Sequence, residues 1–280
     1  MFARPLFRVL SGLALLALVG LLPACTPEDD DLIRPSEFTK TQREALGDLV
    51  EGAIQSNTRE FSLLPNLAPY DEAYDYLHQL YSQAYDDLRR DRYSPTDDRW
   101  DPERPWNLHV LLDEQKNAFV LPGGHLYLTT GLLKSIGAEN ELYYIMACEL
   151  TLMNEKYLFN RLLNQFNTTI LVDLVNGSPS PNGATPNSIA HALSTLDFEE
   201  EDLLVTDEQT IELICQTSIW DPAGLVPLYA ANVERDMLWI ERRDYNGRAS
   251  RVGQLAQRDG GCGIRLSNGA YAQKVLANLP

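Results

Sequence analysis

The residues of this chain whose types and spacing could do chemistry lie in the segment Met146–Met153, which reads M-A-C-E-L-T-L-M. Residues at positions i and i+4 of a helix face the same side. Two metal ligands at that spacing can therefore hold one zinc ion, and a carboxylate beside the first ligand can activate water. Cys148 stands at position i and Glu149 follows it, but Leu152 stands at position i+4. A thiol and a carboxylate are thus present, and a hydrocarbon side chain takes the place of the second ligand.

The flanking sequence carries a more specific pattern. N-A-F-V-L-P-G-G occupies residues 117–124, and A-E-N-E-L at residues 138–142 leads into the segment above. In this order the chain resembles the HtpX-like and Ste-type zinc metallopeptidases, peptidase family M48, in which an H-E-x-x-H motif follows. W-D-P at residues 220–222 and the segment 245–252 resemble two later motifs of that family. The resemblance covers roughly residues 70–258.

Carried over residue by residue, the resemblance implies that the zinc ligands are replaced. The two motif histidines of the family fall on Cys148 and Leu152, its third-ligand glutamate falls on Thr206, and a late histidine near the metal falls on Tyr245. Glu149 remains as a vestigial base. An isobutyl group cannot ligate a cation, and a neutral hydroxyl is a poor zinc ligand. We therefore expect neither a metal nor any other cofactor at these positions, and a non-catalytic protein.

Two other chemistries stay open. Displaced ligands such as Asp207, Glu208 or His125 would restore Zn²⁺ and make the chain an active zinc-dependent metalloendopeptidase. A dyad of Cys148 and His125 would supply a nucleophile and its base, although a buried structural thiol is the commoner role of such a cysteine. The three remaining histidines have no partner at ligand spacing and are interpreted as helix, strand and helix residues; they are His78, His109 and His191.

Residues 125–130 alternate between two faces and are predicted to form a strand after a Pro-Gly-Gly turn. The resemblance implies that this strand borders the cleft and pairs with an extended substrate. An exposed strand edge offers unpaired N–H and C=O groups to a peptide even without catalysis. We therefore expect a peptide-binding cleft, whose residues are Gly123, Gly124, His125, Leu126 and Tyr127.

The predicted fold class is α+β, a mostly helical metallopeptidase-like domain with a small β-sheet whose edge strand borders the cleft. Strands are expected within residues 106–120 and at 125–130. Helices are expected near residues 40–56, 70–90, 139–164, 206–219, 222–240 and 248–258. The predicted domain boundaries are a lipoprotein signal peptide at 1–24, an acidic tether at 25–40, the metallopeptidase-like domain at 41–260 and a C-terminal tail at 261–280.

The first 25 residues predict a membrane anchor. Arg4 and Arg8 precede an apolar stretch at residues 10–22 that is too short and too early for a spanning helix. Leu-Pro-Ala-Cys, ending at Cys25, resembles a bacterial lipobox, which implies cleavage before Cys25 and acylation of that residue, palmitate included. Several acyl chains suffice for stable anchoring. Thr26 after the cysteine favours the outer membrane, facing the periplasm.

Composition narrows the class of partner. The formal net charge of −17 argues against binding to nucleic acid and to anionic lipid headgroups. Membrane attachment is therefore expected from the lipid alone. We expect the partner to be an envelope protein or a peptide segment from one, bound in a chaperone, scaffold or regulatory role such as protein quality control.

Three cysteines remain beyond the lipobox, namely Cys148, Cys215 and Cys262. At most one intramolecular disulfide can form among them, and spacing does not say which. Free buried thiols at Cys148 and Cys215 are the sequence-based prediction.

Overall fold

The computed structural model describes residues 38–92, 107–179, 182–217, 219–258, 262–263, 265–267 and 269–280. The predicted signal peptide, Cys25 and the tether up to residue 37 lie outside these residues. Within the described ranges, no helix is both long enough and apolar enough to span a bilayer.

The described chain is mostly helical with one small mixed sheet, which confirms the α+β prediction. The strands are β1 (Leu108–Leu111), β2 (Ala118–Leu121) and β3 (His125–Thr129). The α-helices are α1 (Lys40–Ser56), α2 (Asp71–Arg92), α3 (Thr130–Ser135), α4 (Glu139–Asn154), α5 (Tyr157–Phe166), α6 (Thr168–Val175), α7 (Pro186–Ser194), α8 (Glu200–Thr217), α9 (Leu225–Arg235), α10 (Leu238–Glu241) and α11 (Arg248–Gln257). A 3₁₀ turn spans Pro222–Gly224 and a π-helical turn spans Ala272–Leu276.

Strand β3 lies in the middle of the sheet. It pairs in parallel with β1, with Leu108 opposite Leu126, and antiparallel with β2, with Leu121 opposite His125. All five of its residues are buried. The prediction that this strand is a sheet edge is therefore wrong. The cause is the long-range pairing with β1, which the alternation of side chains within residues 125–130 does not encode.

The outer edge of β1 is partly covered by the segment that precedes α2. Leu64 N donates to Val110 O at 2.8 Å, and Leu112 N donates to Ser62 O at 2.7 Å. Leu63 and Leu111 form an antiparallel bridge. Leu108, at the start of β1, precedes these contacts and is itself buried, with 2% of its surface exposed.

Close packing of α1 on the β2–β3 turn positions one helix against the sheet. Gly123 and Gly124 of the turn adopt φ values of 88° and 92°, which only glycine adopts readily. On α1, a Cβ added to Gly47 would lie 1.6 Å from the Pro122 carbonyl oxygen. The absence of a side chain at Gly47 therefore lets the backbone of α1 contact the turn. This close approach places Asp48 and Glu51, which follow on α1, beside His125 of β3.

Helix α4 runs through the core, and nearly all of its residues are buried. The single helix predicted over residues 139–164 is instead two helices, because Lys156 adopts a left-handed backbone conformation with φ of 66°. The predicted helix over 222–240 is divided in the same way at Asp236, with φ of 49°.

The segment predicted as a C-terminal tail contributes to the core in its described part. Tyr271 is buried, its hydroxyl donates to Leu133 O at 2.7 Å, and its backbone N–H donates to Glu139 Oε1 at 3.0 Å.

A disulfide also joins Cys215 of α8 to Cys262, 47 residues later, so the predicted free thiol at Cys215 is wrong. Cys148 is a free buried thiol as predicted.

Candidate functional site

Helix α4 carries three of the predicted site residues into the centre of the domain. Cys148, Glu149 and Leu152 each have none of their surface exposed. Helix α8 and the segment around α10 and α11 supply the groups that surround them. A carboxylate buried this deeply requires compensating donors or a cation, because isolated charge is strongly disfavoured in a dry interior.

Glu149 is neutralised by an arginine. Its Oε1 atom accepts a hydrogen bond from Trp239 Nε1 at 2.7 Å and forms an ion pair with Arg243 Nη2 at 2.7 Å. The Arg243 guanidinium also lies over the rings of Phe198, at 5.3 Å, and Trp239, at 5.4 Å. These aromatic faces help to stabilise the buried cation. The carboxylate that would act as base is therefore tied into an ion pair.

Asp207 of α8 is neutralised by a second arginine. Arg248 Nη2 donates to Asp207 Oδ1 at 2.7 Å, and Arg248 Nε donates to Oδ2 at 3.0 Å, which is the bidentate geometry that arginine favours. The hydroxyls of Tyr144 and Tyr245 complete the shell, each donating to the same carboxylate at 2.8 Å. Burial opposes the charge on Arg248, but the Asp207 carboxylate outweighs it and raises the pKa of the guanidinium well above its usual range.

The thiol of Cys148 lies against this second pair, with its Sγ 3.7 Å from Arg248 Nη2. Burial raises the pKa of the thiol to about 12, against the opposing effect of Arg248. Zinc binds thiolate, and nucleophilic attack also requires thiolate, so the protonated thiol is suited to neither. The proposed dyad partner, His125, is bonded instead to Asp48 and Glu51.

The remaining predicted ligand positions have other structural roles. The Thr206 hydroxyl donates to Asp202 O at 2.7 Å within its own helix, so its neighbour Asp207 is the residue that presents an oxygen to the site. Tyr245 donates its hydroxyl to Asp207. Glu208, an alternative ligand from the sequence, pairs with Arg258 at 2.9 Å on the surface.

The zinc ion that the resemblance implies does not fit this donor set. Two guanidinium groups stand beside the two carboxylates that would have to bind the metal. The local charge is already balanced, with two arginines against Glu149 and Asp207. A dication about 4 Å from a guanidinium would be repelled by about 8 kcal/mol per arginine at an effective dielectric constant of about 20. Leu152 adds only hydrocarbon. Electrostatics therefore disfavours a metal here.

The asparagine of the N-A-F sequence fixes the same region from the sheet side. Arg242 Nη2 donates to Asn117 Oδ1 at 2.6 Å, and both side chains donate to Ser194 O, at 2.5 Å from Arg242 Nη1 and 2.9 Å from Asn117 Nδ2. Burial, with the neighbouring Arg243, lowers the pKa of Arg242 to about 9. The motif residue thus anchors the segment that carries the buried arginines.

A second cluster of titratable groups lies where α1, β1 and β3 meet. Glu51 Oε1 is 2.8 Å from His109 Nε2 and 3.2 Å from His125 Nδ1, and one ligand atom from each of these residues falls within 4.8 Å of the others. His125 Nε2 lies 3.2 Å from Asp48 Oδ1. Burial lowers the pKa of His109, against the raising effect of Glu51. The cluster contains two imidazoles and a carboxylate in mutual contact.

A cavity of about 490 Å³ opens beside this cluster, next to the start of β1. Its lining includes Glu51 and His109 together with Asn107, Tyr74 and His78. His125 lies behind them and is only 3% exposed. The cluster therefore has a buried side and a side that faces the cavity.

Sequence reasoning found some of these residues and missed others. The structure places Cys148 beside Arg248 and Glu149 beside Arg243. The sequence does not mark these two arginines, because arginine is normally exposed and nothing in their spacing indicates burial.

The sequence alone indicates an ordinary strand residue at His109. Only the parallel pairing of β1 with β3 brings it to His125. The peptide-binding role of residues 123–127 stays a prediction. With β3 paired on both sides, such binding would require another surface or displacement of a strand.

Comparison with known proteins gives a match to a family model. Residues 99–180 match the family model of Peptidase family M48. The matched segment includes the elements from β1 to α6, among them α4 with Cys148 and Glu149. None of the curated proteins compared with the chain matches it.

Proposed function

We propose that this chain, whose residues 99–180 match the model of Peptidase family M48, is a non-catalytic relative of that family, anchored by lipid in a bacterial envelope, that binds segments of other proteins. The observation that carries the non-catalytic part is the pairing of Arg243 with Glu149 and of Arg248 with Asp207. Two monovalent cations stand beside the carboxylates where a metallopeptidase needs one divalent metal.

Burial supports the same conclusion independently of charge. A peptidase must bring its metal, its base and the scissile bond together in a cleft. Glu149, Asp207, Cys148 and Leu152 have no exposed surface, so a substrate would have to displace core side chains to reach them. The peptidase helix therefore serves the core of the domain.

The compartment proposal rests on three features. Arg4, Arg8 and the lipobox ending at Cys25 support export and acylation. The Cys215–Cys262 disulfide supports an oxidising compartment, since such bonds persist outside the cytosol. The acidic net charge supports attachment by acyl chains instead of electrostatic adhesion to lipid headgroups.

The binding role rests on the surface beside β1. The cavity beside the start of β1, lined in part by Leu63, Pro65 and Asn66, offers partly exposed apolar and amide side chains to an extended segment. This surface replaces β3 as the place where such a segment would add. A role in envelope protein quality control, as chaperone, scaffold or regulator, is consistent with that geometry.

The alternative function is an active metalloendopeptidase, which the retained Glu149 within an M48 match favours. In the test, the mature chain is incubated with an unfolded protein substrate and Zn²⁺, with and without chelator, beside its Glu149→Gln variant. We expect no chelator-sensitive cleavage and no difference between the two proteins.

Chelator-sensitive cleavage that Glu149→Gln abolishes would overturn the non-catalytic proposal. The binding proposal is tested separately with unfolded envelope-protein peptides and a Pro65→Asp variant, which places a charge on the exposed lining of the cavity. Equal peptide binding by the variant and the native chain, or no binding by either, would count against the proposed surface.

A further inference from the structure

We propose that Glu51, His109 and His125 bind a Zn²⁺ ion at the junction of α1, β1 and β3. This site is separate from the predicted peptidase position on α4 and does not depend on the non-catalytic proposal. It draws on one carboxylate oxygen and two imidazole nitrogens, a donor set that suits zinc.

The spacing of the ligand atoms matches a tetrahedral ion. Zinc holds such ligands at about 2.0–2.2 Å, which separates neighbouring ligand atoms by about 3.3–3.6 Å. Glu51 Oε1 lies 2.8 Å from His109 Nε2 and 3.2 Å from His125 Nδ1. All three ligand atoms lie within 4.8 Å of one another, so rotations of their side chains would bring them around one ion.

The residues around the cluster provide the outer hydrogen bonds that zinc sites use. His125 directs Nδ1 at Glu51 and Nε2 at Asp48, 3.2 Å away, which forms a carboxylate–histidine–metal arrangement. Asn107 Nδ2 lies 3.4 Å from Glu51 Oε1 and can hold that carboxylate in place. His109 stacks on Tyr127 with ring centroids 4.9 Å apart, which fixes the plane of its imidazole.

The arrangement leaves a coordination position open. Three protein ligands are the number found in zinc centres that keep a fourth position for water or a ligand. Glu51 and His109 line the cavity, so the fourth position would face it. The Tyr127 hydroxyl is buried without a hydrogen-bond partner among the described residues, and it lies close enough to Glu51 to be influenced by that carboxylate. A zinc-bound water would give this hydroxyl a partner.

A simple histidine–carboxylate hydrogen bond needs neither a second imidazole nor an outer carboxylate. The chain contains such a simple pair, which serves for comparison. His191 Nε2 lies 2.9 Å from Glu60 Oε2 on the surface, and both residues are about half exposed. That pair has one imidazole and no outer carboxylate in the described contacts. It therefore serves as the matched control.

The test measures zinc on the purified mature chain by elemental analysis after gel filtration, and zinc affinity by competition with a chromogenic chelator. We expect one equivalent of zinc. His109→Ala and Glu51→Gln should each weaken binding by more than about 100-fold, because loss of an outer-shell partner alone costs about 10–100-fold. Asp48→Asn should weaken zinc binding by about 10–100-fold, the range for an outer-shell partner. His191→Ala should leave the zinc affinity unchanged.

Glu51→Gln keeps the shape of the side chain and guards against a folding defect in His109→Ala, and circular dichroism checks both. Zinc that is retained in full by Glu51→Gln and His109→Ala overturns the proposed site. Zinc that disappears instead in Cys148→Ser or Asp207→Asn overturns both this site and the non-catalytic proposal. Absence of zinc binding by the native chain overturns the site alone and leaves the non-catalytic proposal standing.

Discussion

Two regions of this domain neutralise buried or partly buried carboxylates in different ways. On α4 and α8, Glu149 and Asp207 each face an arginine within a fully buried set of side chains. At the junction of α1 with the sheet, Glu51 faces two histidines beside a cavity. A guanidinium keeps its charge and cannot ligate a metal, whereas an imidazole can give up its proton to a metal ion. The difference in the basic partner therefore decides which region can hold a cation.

The comparison also separates stability from binding. The arginine pairs are inaccessible, so substitutions there should mainly change the free energy of unfolding. The histidine cluster is partly exposed, so substitutions there should mainly change the affinity for a bound ion. Four predictions follow from this contrast.

The largest expected effect concerns the reactivity of Cys148. With a pKa of about 12 in place of the ordinary 9, the thiolate fraction at pH 8 is lower by about three orders of magnitude. Since a raised pKa keeps the thiol protonated until pH approaches that value, alkylation should be negligible at pH 8 in the folded chain and should rise with pH. Mass spectrometry after iodoacetamide treatment measures it, with urea-unfolded protein as control. Equal labelling of folded and unfolded protein would contradict a closed core.

The next effect concerns the second arginine pair. Arg248→Met leaves Asp207 buried without its cation and should lower the free energy of unfolding by about 3–5 kcal/mol. Denaturant titration measures the change. The matched control is Arg258→Met, which breaks an exposed pair with Glu208 and should cost about 0–1 kcal/mol.

A double variant, Arg248→Met with Asp207→Leu, should recover part of that loss, because it removes both charges. Losses of similar size in Arg248→Met and Arg258→Met would show that the buried pair has no special role.

A smaller effect is expected at the contact that sets α1 against the sheet. Gly47→Ala places a Cβ against the Pro122 carbonyl and should destabilise the fold by about 1–3 kcal/mol while also weakening zinc binding. Gly52→Ala on the same helix meets nothing within 4 Å and should stabilise the fold by about 0.4–1 kcal/mol. Unchanged zinc affinity in a folded Gly47→Ala protein would argue that α1 does not position Glu51.

The smallest expected effect is on stability at the histidine cluster. His109 and Glu51 are 18% and 15% exposed. In zinc-free buffer, His109→Ala should cost only about 1 kcal/mol, as expected for a modest hydrogen bond. Thermal unfolding with and without added zinc measures it, and zinc should stabilise the native chain but not the variant. A large loss in zinc-free buffer would assign the cluster a structural role.

The sequence predicted the local elements better than their partners. The Pro-Gly-Gly turn, helix α1 and the burial of Cys148 follow from residue types that act locally, so they could be predicted. The central position of β3 and the Cys215–Cys262 pairing depend on contacts between distant segments, which periodicity does not encode.

The candidate sites show the same limit. The family pattern indicates Glu149 and Tyr245, and the structure places both beside buried arginines that the pattern does not mark. Glu51 and His109 lie 58 residues apart in the chain. Their contact depends on the close approach of α1 to the β2–β3 turn at Gly47. Sequence patterns do not indicate this approach.

The central claim is that guanidinium groups occupy the place of a metal beside Glu149. Crystals of the native chain grown with excess Zn²⁺ and measured at the zinc absorption edge test it most directly. We predict no anomalous peak within coordination distance of Glu149, with Arg243 and Arg248 in their ion pairs. A zinc peak bound by Glu149, Asp207 or Cys148, with the arginines displaced, would contradict the account.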